Sequence, residues 1–341
     1  MVHSRQTQRP HRPLLSIVIP CFNEEACAPE MARRLSAAME AVDADWEAIF
    51  VDDGSTDATG ERLAELAGAD SRVGYIAFSR NFGHQMALLA GMSRARGAAV
   101  ISLDGDLQHP PELIPELVRH WRDGFDVVYT VREGTEGALL KEAISAGFYR
   151  VLRRLTGVDI PTGGADFRLL DRVVVDALLA CEERFVFVRG LVPWLGFRRK
   201  AVPYEAHERF AGSTKYVFAR MLRFALDGVF SFSTVPLRMI SLLGVATVAL
   251  GVLYGFYSIA VRLFTNSAVS GWTSLVVLVL VFSGTQLLSL GILSEYVGRI
   301  YEEVKRRPRY IVASSVDPGT DVAGGLSETA TTSLRSAKER A

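Results

Sequence analysis

Two uncharged runs constrain this chain more than any other feature. From Met239 to Val261, and again from Trp272 to Ser294, no residue carries a charge. At about 1.5 Å of rise per residue, a helix of either length crosses a hydrocarbon layer of about 30 Å. The link from Arg262 to Gly271 permits only a tight return, so the pattern predicts two transmembrane helices, 239–261 and 272–294, paired as a hairpin. Arg220, Arg223 and Arg238 precede the first run, and Arg299, Lys305, Arg306, Arg307 and Arg309 follow the second, whereas the link offers only Arg262. That asymmetry puts both termini on the cytoplasmic side of an inner membrane. Buried helices of a soluble core are the competing reading, which two successive runs with basic flanks disfavour. Just upstream, Tyr216 to Phe232 suits either an amphipathic segment at the lipid interface or a helix packed on the soluble part.

The remaining chain divides around this hairpin. Residues 1–13 read as a flexible N-terminus with no continuous apolar stretch for a cleavable signal peptide, which leaves the next domain, 14–215, in the cytoplasm. A juxtamembrane segment follows at 216–234, the helices occupy 235–298, and 299–341 reads as a basic segment with a flexible tail, rich in Ser, Thr, Gly and Ala beyond Val316. The 38 basic residues balance 38 acidic ones, so bulk charge makes no case for nucleic acid. Cys21, Cys27 and Cys181 lack the paired spacing of a zinc site or disulfide framework and read as reduced thiols.

Within 14–215, strand-like runs alternate with helical ones: Leu15–Ile19, Met31–Val42, Trp46–Val51, Thr59–Ala67, Val73–Phe78, Gln85–Arg94, Ala98–Leu103, Pro111–Trp121 and Asp126–Val131. Alternation of this kind argues for an α/β fold with a mostly parallel sheet, whose ligand site lies beyond the carboxyl ends of the strands. Polar clusters sit at those ends: Pro20 to Glu25, Asp52 to Ser55, Ser79 to Asn81, and Asp104 to Asp106. Asp104 and Asp106 are two apart, so in an extended segment their carboxylates point the same way. Close like charges call for a cation, and oxygen ligands suit Mg²⁺ or Mn²⁺ completed by substrate phosphates. Ser55 to Asp57 read as capping residues. Asp52 or Asp53, at the end of a strand, suits hydrogen bonds from a base or a ribose.

The strings IVIPCFNEE, VDDGSTD, SRNFGHQ, LDGDLQHPP, GGADFRLLDR, ERFAGSTKY and EYVGRIYEEVKRRPRY occur in this order. In them the chain resembles the polyprenyl-phosphate glycosyltransferases of the inverting nucleotide-sugar transferase family, and the C-terminal helix pair is most similar to the bactoprenol glucosyltransferase branch. The resemblance implies a nucleotide-sugar-binding GT-A type (Rossmann-like) domain. It also implies a nucleotide sugar bound by Pro20, Phe22, Asn23, Glu24, Asp52 or Asp53 and Arg80, with Asp104 and Asp106 as metal ligands and Gln108 completing the shell of the diphosphate or of the metal. Asp166 matches the third acidic residue of the family, while Arg209, Ser213 and Lys215 match its acceptor loop. Arg132, after the fifth strand, is a further candidate for the acceptor phosphate.

The implied reaction moves a hexose, UDP-glucose being the preferred donor, onto undecaprenyl or decaprenyl phosphate with inversion, for cell-envelope glycosylation. A homotetramer is a further expectation from resemblance. A phosphate monoester has a second pKa of about 6 and arrives largely as an anion, so Asp166 is expected to orient more than to accept a proton. A lipid hydroxyl acceptor would need Asp166 as a committed base. A non-catalytic nucleotide-sugar-binding scaffold is the alternative outside enzymology, and the joint presence of Asp104, Asp106, Asp166 and Lys215 argues against it.

Overall fold

The alternation read from the sequence is realised in the computed structural model, which describes residues 9, 11–133, 164–184, 186–205, 233–265 and 271–320. Strands β1 (Leu14–Cys21), β2 (Asp45–Asp52), β3 (Val73–Phe78) and β4 (Ala99–Ser102) are joined by helices α1 (Ala28–Glu40), α2 (Thr59–Ala69) and α3 (His84–Arg94). Parallel neighbours need crossovers of this length, and their strands are buried on both faces, which is why Leu15, Ile17, Val18 and Ile19 of β1 are all fully buried. Helix α4 (Ile114–Arg122) leads to β5 (Val127–Glu133). Strand β6 (Gly164–Asp171) precedes α5 (Arg172–Leu179) and the short α6 (Val188–Trp194), and β7 is Arg199–Glu205. With β8 (Val312–Val316), the eight-stranded sheet has the order β7-β5-β6-β4-β1-β2-β3-β8, in which β6 and β8 run antiparallel to their neighbours.

Met31 and Leu35 of α1 and Leu117 and Trp121 of α4 pack with Ile17, Phe50 and Ile101 in the main core on one side of the sheet. Helix α3 lies so near β1 that a Cβ on Gly91 would stand 2.2 Å from a Val18 methyl, so only glycine fits there. The sequence pattern places a helix from Pro111, but the chain begins with a 3₁₀ turn at Pro111–Leu113. Pro115 has no amide hydrogen for the Pro111 carbonyl, which accepts from Ile114 instead.

Helices α7 (Val235–Thr265) and α8 (Trp272–Val304) belong to a second unit, while the residues from Arg307 onward return to the sheet unit. Both contain a stretch long and apolar enough to cross a membrane, with mean hydropathy 2.0 and none of it buried within the structure. Tyr296 Oη donates to the Ser233 carbonyl at 2.7 Å, which brings the start of α7 beside the later part of α8 as an antiparallel pair. Helix α8 runs on to Val304, past the division drawn from the sequence at Arg299, and Val312–Val316, just ahead of the tail expected beyond Val316, join the sheet as β8. Tyr310 stacks on Phe78 with centroids 4.9 Å apart, Ser79 N donates to the Ile311 carbonyl at 3.0 Å, and Gly319 N donates to the Ser71 carbonyl at 2.6 Å. The segments 134–163, 206–232 and 321–341 lie outside the described residues and with them Arg209, Ser213 and Lys215.

Candidate functional site

Strands β1 and β2 end in register, Cys21 opposite Asp52, so the loops after them start side by side. They are tied together by backbone and side-chain bonds. Asn23, with φ 58, donates its amide hydrogen to Ser55 Oγ (2.9 Å), and its Oδ1 accepts from Thr56 N (2.9 Å) and Thr56 Oγ1 (3.3 Å). Glu24 N donates to Thr59 Oγ1 at 2.8 Å, and Ala58 N donates to Glu25 Oε2 at 3.0 Å. Asp57 Oδ1 accepts from Thr59 N at 3.0 Å, but the N-cap of α2 is Ala58, one residue beyond the Ser55 to Asp57 stretch expected to cap it. Pro20 is buried at the end of β1, whereas Phe22 is 45% exposed at the lip.

Asp52 and Asp53 are both buried but engage different partners. Asp52 Oδ1 accepts from Ser55 N at 2.9 Å. Asp53 accepts from Phe82 N (2.7 Å) and Gly83 N (2.9 Å to Oδ2), and so fixes the loop that starts α3; burial pushes its carboxyl above the ordinary range against these bonds. Of the two, Asp53 is the one committed to the fold. Gly54 has φ +69, and a Cβ there would lie 2.3 Å from the Arg80 carbonyl carbon, so the two loops touch through backbone. Arg80 is exposed with its guanidinium 4.0 Å over the Phe82 ring.

Strand β4 stops at Ser102, so Asp104 and Asp106 stand on a turn and not on the extended segment expected from their spacing. The cause is local: a Cβ on Gly105 would be 2.9 Å from Cys21 Sγ, and Leu107 takes a positive φ of 62, so the backbone bends against the end of β1. Gln108 N closes the turn on Asp106 Oδ1 at 3.2 Å. Asp104 Oδ1 is buried and accepts no hydrogen bond. His84 Nε2 lies 3.5 Å from this oxygen and His109 Nδ1 3.4 Å from Oδ2. Burial pushes the Asp104 carboxyl up; the two histidines oppose this, and the Asp166 and Asp106 charges add to it. Among the described residues no group of three or more His, Cys, Asp or Glu side chains is placed to hold a metal alone. A buried carboxylate oxygen without a donor, beside a second carboxylate, fits an ion that takes its other ligands from a substrate diphosphate.

Asp166 comes from β6, next to β4 in the sheet. Its carboxylate pairs with Arg168 Nη2 through Oδ1 and with Arg189 through Nε (3.0 Å to each oxygen) and Nη2 (2.7 Å to Oδ2), while His84 Nε2 stands 3.5 Å from Oδ2. Burial alone would raise the Asp166 pKa; the hydrogen bond from His84 and the two guanidiniums outweigh it and hold the carboxyl well below the usual carboxylate range. His84 is itself raised: burial lowers it, but Asp166 and Asp104 prevail. The structure thus brings Asp104 and Asp166 to one histidine. Arg132 lies on β5 by its backbone. Sequence reasoning missed Arg168 and Arg189. Arg168 was legible, being two residues from Asp166 on a strand and so on the same face; Arg189 reaches Asp166 only through the fold.

Comparison with known proteins adds to this geometry. Residues 16–179 match glycosyl transferase family 2. The chain is 47% identical to the glycosyltransferase YkcC of Bacillus subtilis over 88% of its own length and 93% of the relative. It is 39% identical to the SfII prophage-derived bactoprenol glucosyl transferase of Shigella flexneri, over 88% of this chain and 98% of that one. Among solved structures it resembles glucosyl-3-phosphoglycerate synthase of Mycobacterium tuberculosis, with a TM-score of 0.43 and 20% identity over 65% of this chain and 80% of that chain.

Proposed function

The chain belongs to glycosyl transferase family 2, and from that premise we propose that it moves a hexose from a nucleotide sugar, UDP-glucose in the preferred reading, to a polyprenyl phosphate. The helix pair α7 and α8 would anchor it in the membrane that holds this lipid, with the sheet domain in the cytoplasm. The acceptor class rests on the bactoprenol glucosyl transferase relative and on one observation of the site. Asp166, held ionised by Arg168 and Arg189, is a poor proton acceptor, which suits a nucleophile that arrives already charged.

In this reading the loops after β1 and β2 receive the nucleotide, with Asp52 at the base or ribose and Phe22, Asn23 and Glu24 around it. Arg80, at the end of β3, faces the same nucleotide. Asp104 and Asp106 would hold Mg²⁺ or Mn²⁺ on the diphosphate, with Gln108 beside it. A divalent ion there supplies Lewis-acid stabilisation of the departing nucleoside diphosphate. Asp166 orients the sugar and the acceptor, and a phosphate oxygen of the lipid attacks the anomeric carbon as the bond to the diphosphate breaks, inverting that centre. Arg132, Arg209, Ser213 and Lys215 would gather the lipid phosphate.

The test is transfer of labelled sugar to undecaprenyl phosphate by membranes containing the chain, with Mg²⁺ or Mn²⁺ and a panel of nucleotide sugars. Metal-dependent, organic-extractable, acid-labile label from one donor, absent in Asp106→Asn, is the expected result. Label found only on a lipid hydroxyl such as diacylglycerol would reject the phosphate acceptor.

A further inference from the structure

Two guanidiniums meet the carboxylate of Asp166. Arg168 and Arg189 both pair with it, yet they differ in access: the Arg168 side chain is 6% exposed and that of Arg189 38%. Arg168 sits in the sheet beside Asp166 and pairs with it from within the core, with His84 Nε2 at 3.5 Å as a third partner. Arg189 comes from the first turn of α6 and presents its fork, Nε and Nη2, to both oxygens. A guanidinium carries five N–H donors in a planar fork that matches phosphate as well as carboxylate. Of the two guanidiniums on the buried carboxylate, that of Arg189 is the one an incoming anion can reach.

We propose that Arg189 is a binding residue for the phosphate of the acceptor, turning its fork from Asp166 to the incoming phosphomonoester while Arg168 stays paired with Asp166. The proposal rests on the reading that the acceptor is a polyprenyl phosphate. Two features assign Arg189 to the acceptor and not to the donor diphosphate. The nucleotide side is built by the loops after β1 to β4, which are bonded to one another, whereas Arg189 enters from α6 and is bonded to Asp166. The diphosphate has a cation partner in the ion that Asp104 and Asp106 would hold; the acceptor brings a second anion to the same pocket and needs another. Binding on Arg189 would also set the phosphate beside the carboxylate that orients the reaction and disfavour uncharged hydroxyl acceptors, which cannot draw the guanidinium away.

The test uses the full chain in detergent, with KM and kcat measured for donor and acceptor separately in Arg189→Gln and Arg189→Lys. Direct binding of a short-chain polyprenyl monophosphate is measured without donor. Arg189→Gln is expected to raise the acceptor KM and weaken direct binding by about ten- to a hundredfold, as loss of a charge-assisted contact would, with donor KM unchanged. Arg189→Lys, which keeps the charge but not the fork, is expected to fall between. A rise in donor KM of the same size would give the residue to the diphosphate, and a fall in kcat with both KM values unchanged would confine it to holding Asp166; either overturns the proposal. Should Arg189→Gln fail to fold, a wild-type acceptor KM in Arg189→Lys overturns it as well. A wild-type chain that transfers no sugar yet binds the monophosphate through Arg189 would reject the acceptor reaction and keep this site. Transfer with unaltered acceptor KM in both variants rejects this site alone.

Discussion

The loops beyond β1 to β3 and the pocket around Asp166 are both built on buried carboxylates, but different forces hold them. In the loops, Asp52, Asp53 and Asn23 accept from backbone amides of Ser55, Phe82, Gly83 and Thr56. Such bonds are directional and fix the chain before anything binds. Asp166 is paired instead with side chains on two elements, β6 and α6, and with His84 of α3. Charge-assisted pairs are individually stronger, and a guanidinium fork matches phosphate as it matches carboxylate, so Arg189 has an alternative partner when another anion enters. Under the proposed function, the contrast amounts to a division of labour between a rigid cradle for the nucleotide and a charge cluster that responds to the acceptor. Asp104 stands between them, with one oxygen that accepts nothing.

The largest effect should come from that oxygen. Asp104→Asn is expected to lower metal-stimulated transfer by about 10³-fold or more, the scale of a lost Lewis acid, while raising the unfolding temperature of the metal-free protein. The signs oppose because burial raises the Asp104 pKa: its charged form costs stability above the unfolded pKa, and that cost fades as pH falls through the folded value. A stability loss in the metal-free variant would contradict this account of the site.

Asp166→Asn should act in the opposite sense on stability. It removes the Asp166 charge that faces buried Arg168, and breaking such a pair costs about 3–5 kcal/mol. Because the folded pKa of Asp166 is depressed, its contribution is complete above about pH 4, the unfolded value, and is lost as pH falls through the folded one. Denaturation of wild type and variant across pH 3 to 7 measures this; curves that coincide at neutral pH would show that the cluster is held by something other than charge.

A third comparison concerns the sheet edge under the nucleotide cradle. A chain ended after Arg306 loses β8, the Tyr310–Phe78 stack and the Ile311 carbonyl that accepts from Ser79 N, and should lose about 2–4 kcal/mol of stability together with donor affinity. Unchanged donor binding would separate the strand from the cradle.

How far this was legible depends on the range of the interaction. The strands and helices from Leu15 to Val131 show in the sequence because parallel crossovers impose a regular alternation of buried strand and amphipathic helix. The acidic pair shows too, but not its turn, which Gly105 and Leu107 create by meeting the end of β1. VASSV carries no strand signal of its own; it becomes β8 because β3, far earlier in the chain, offers an open edge. Arg189 is hidden for the same reason, since nothing local marks an arginine at the start of a short helix as the partner of Asp166.

The smallest prediction isolates one side chain of the cradle. Asn23 combines a left-handed backbone with two acceptor contacts to Thr56. Asn23→Ala removes both contacts and puts into a left-handed backbone a residue without the short polar side chain that lets asparagine adopt it, so it should cost about 2 kcal/mol. Asn23→Gly removes the contacts but accepts that backbone, so it should cost about 1 kcal/mol, net of the added freedom of the unfolded chain. The order alanine worse than glycine, read by thermal unfolding, would show that conformation matters alongside hydrogen bonding at this position. Donor affinity should follow the same order, because a loop that loses its tie to Thr56 no longer holds Phe22 and Glu24 in place. Equal losses in the two variants would mean that the side-chain oxygen alone sets the turn, and the cradle would then depend on its polar contacts as fully as the Asp166 cluster does.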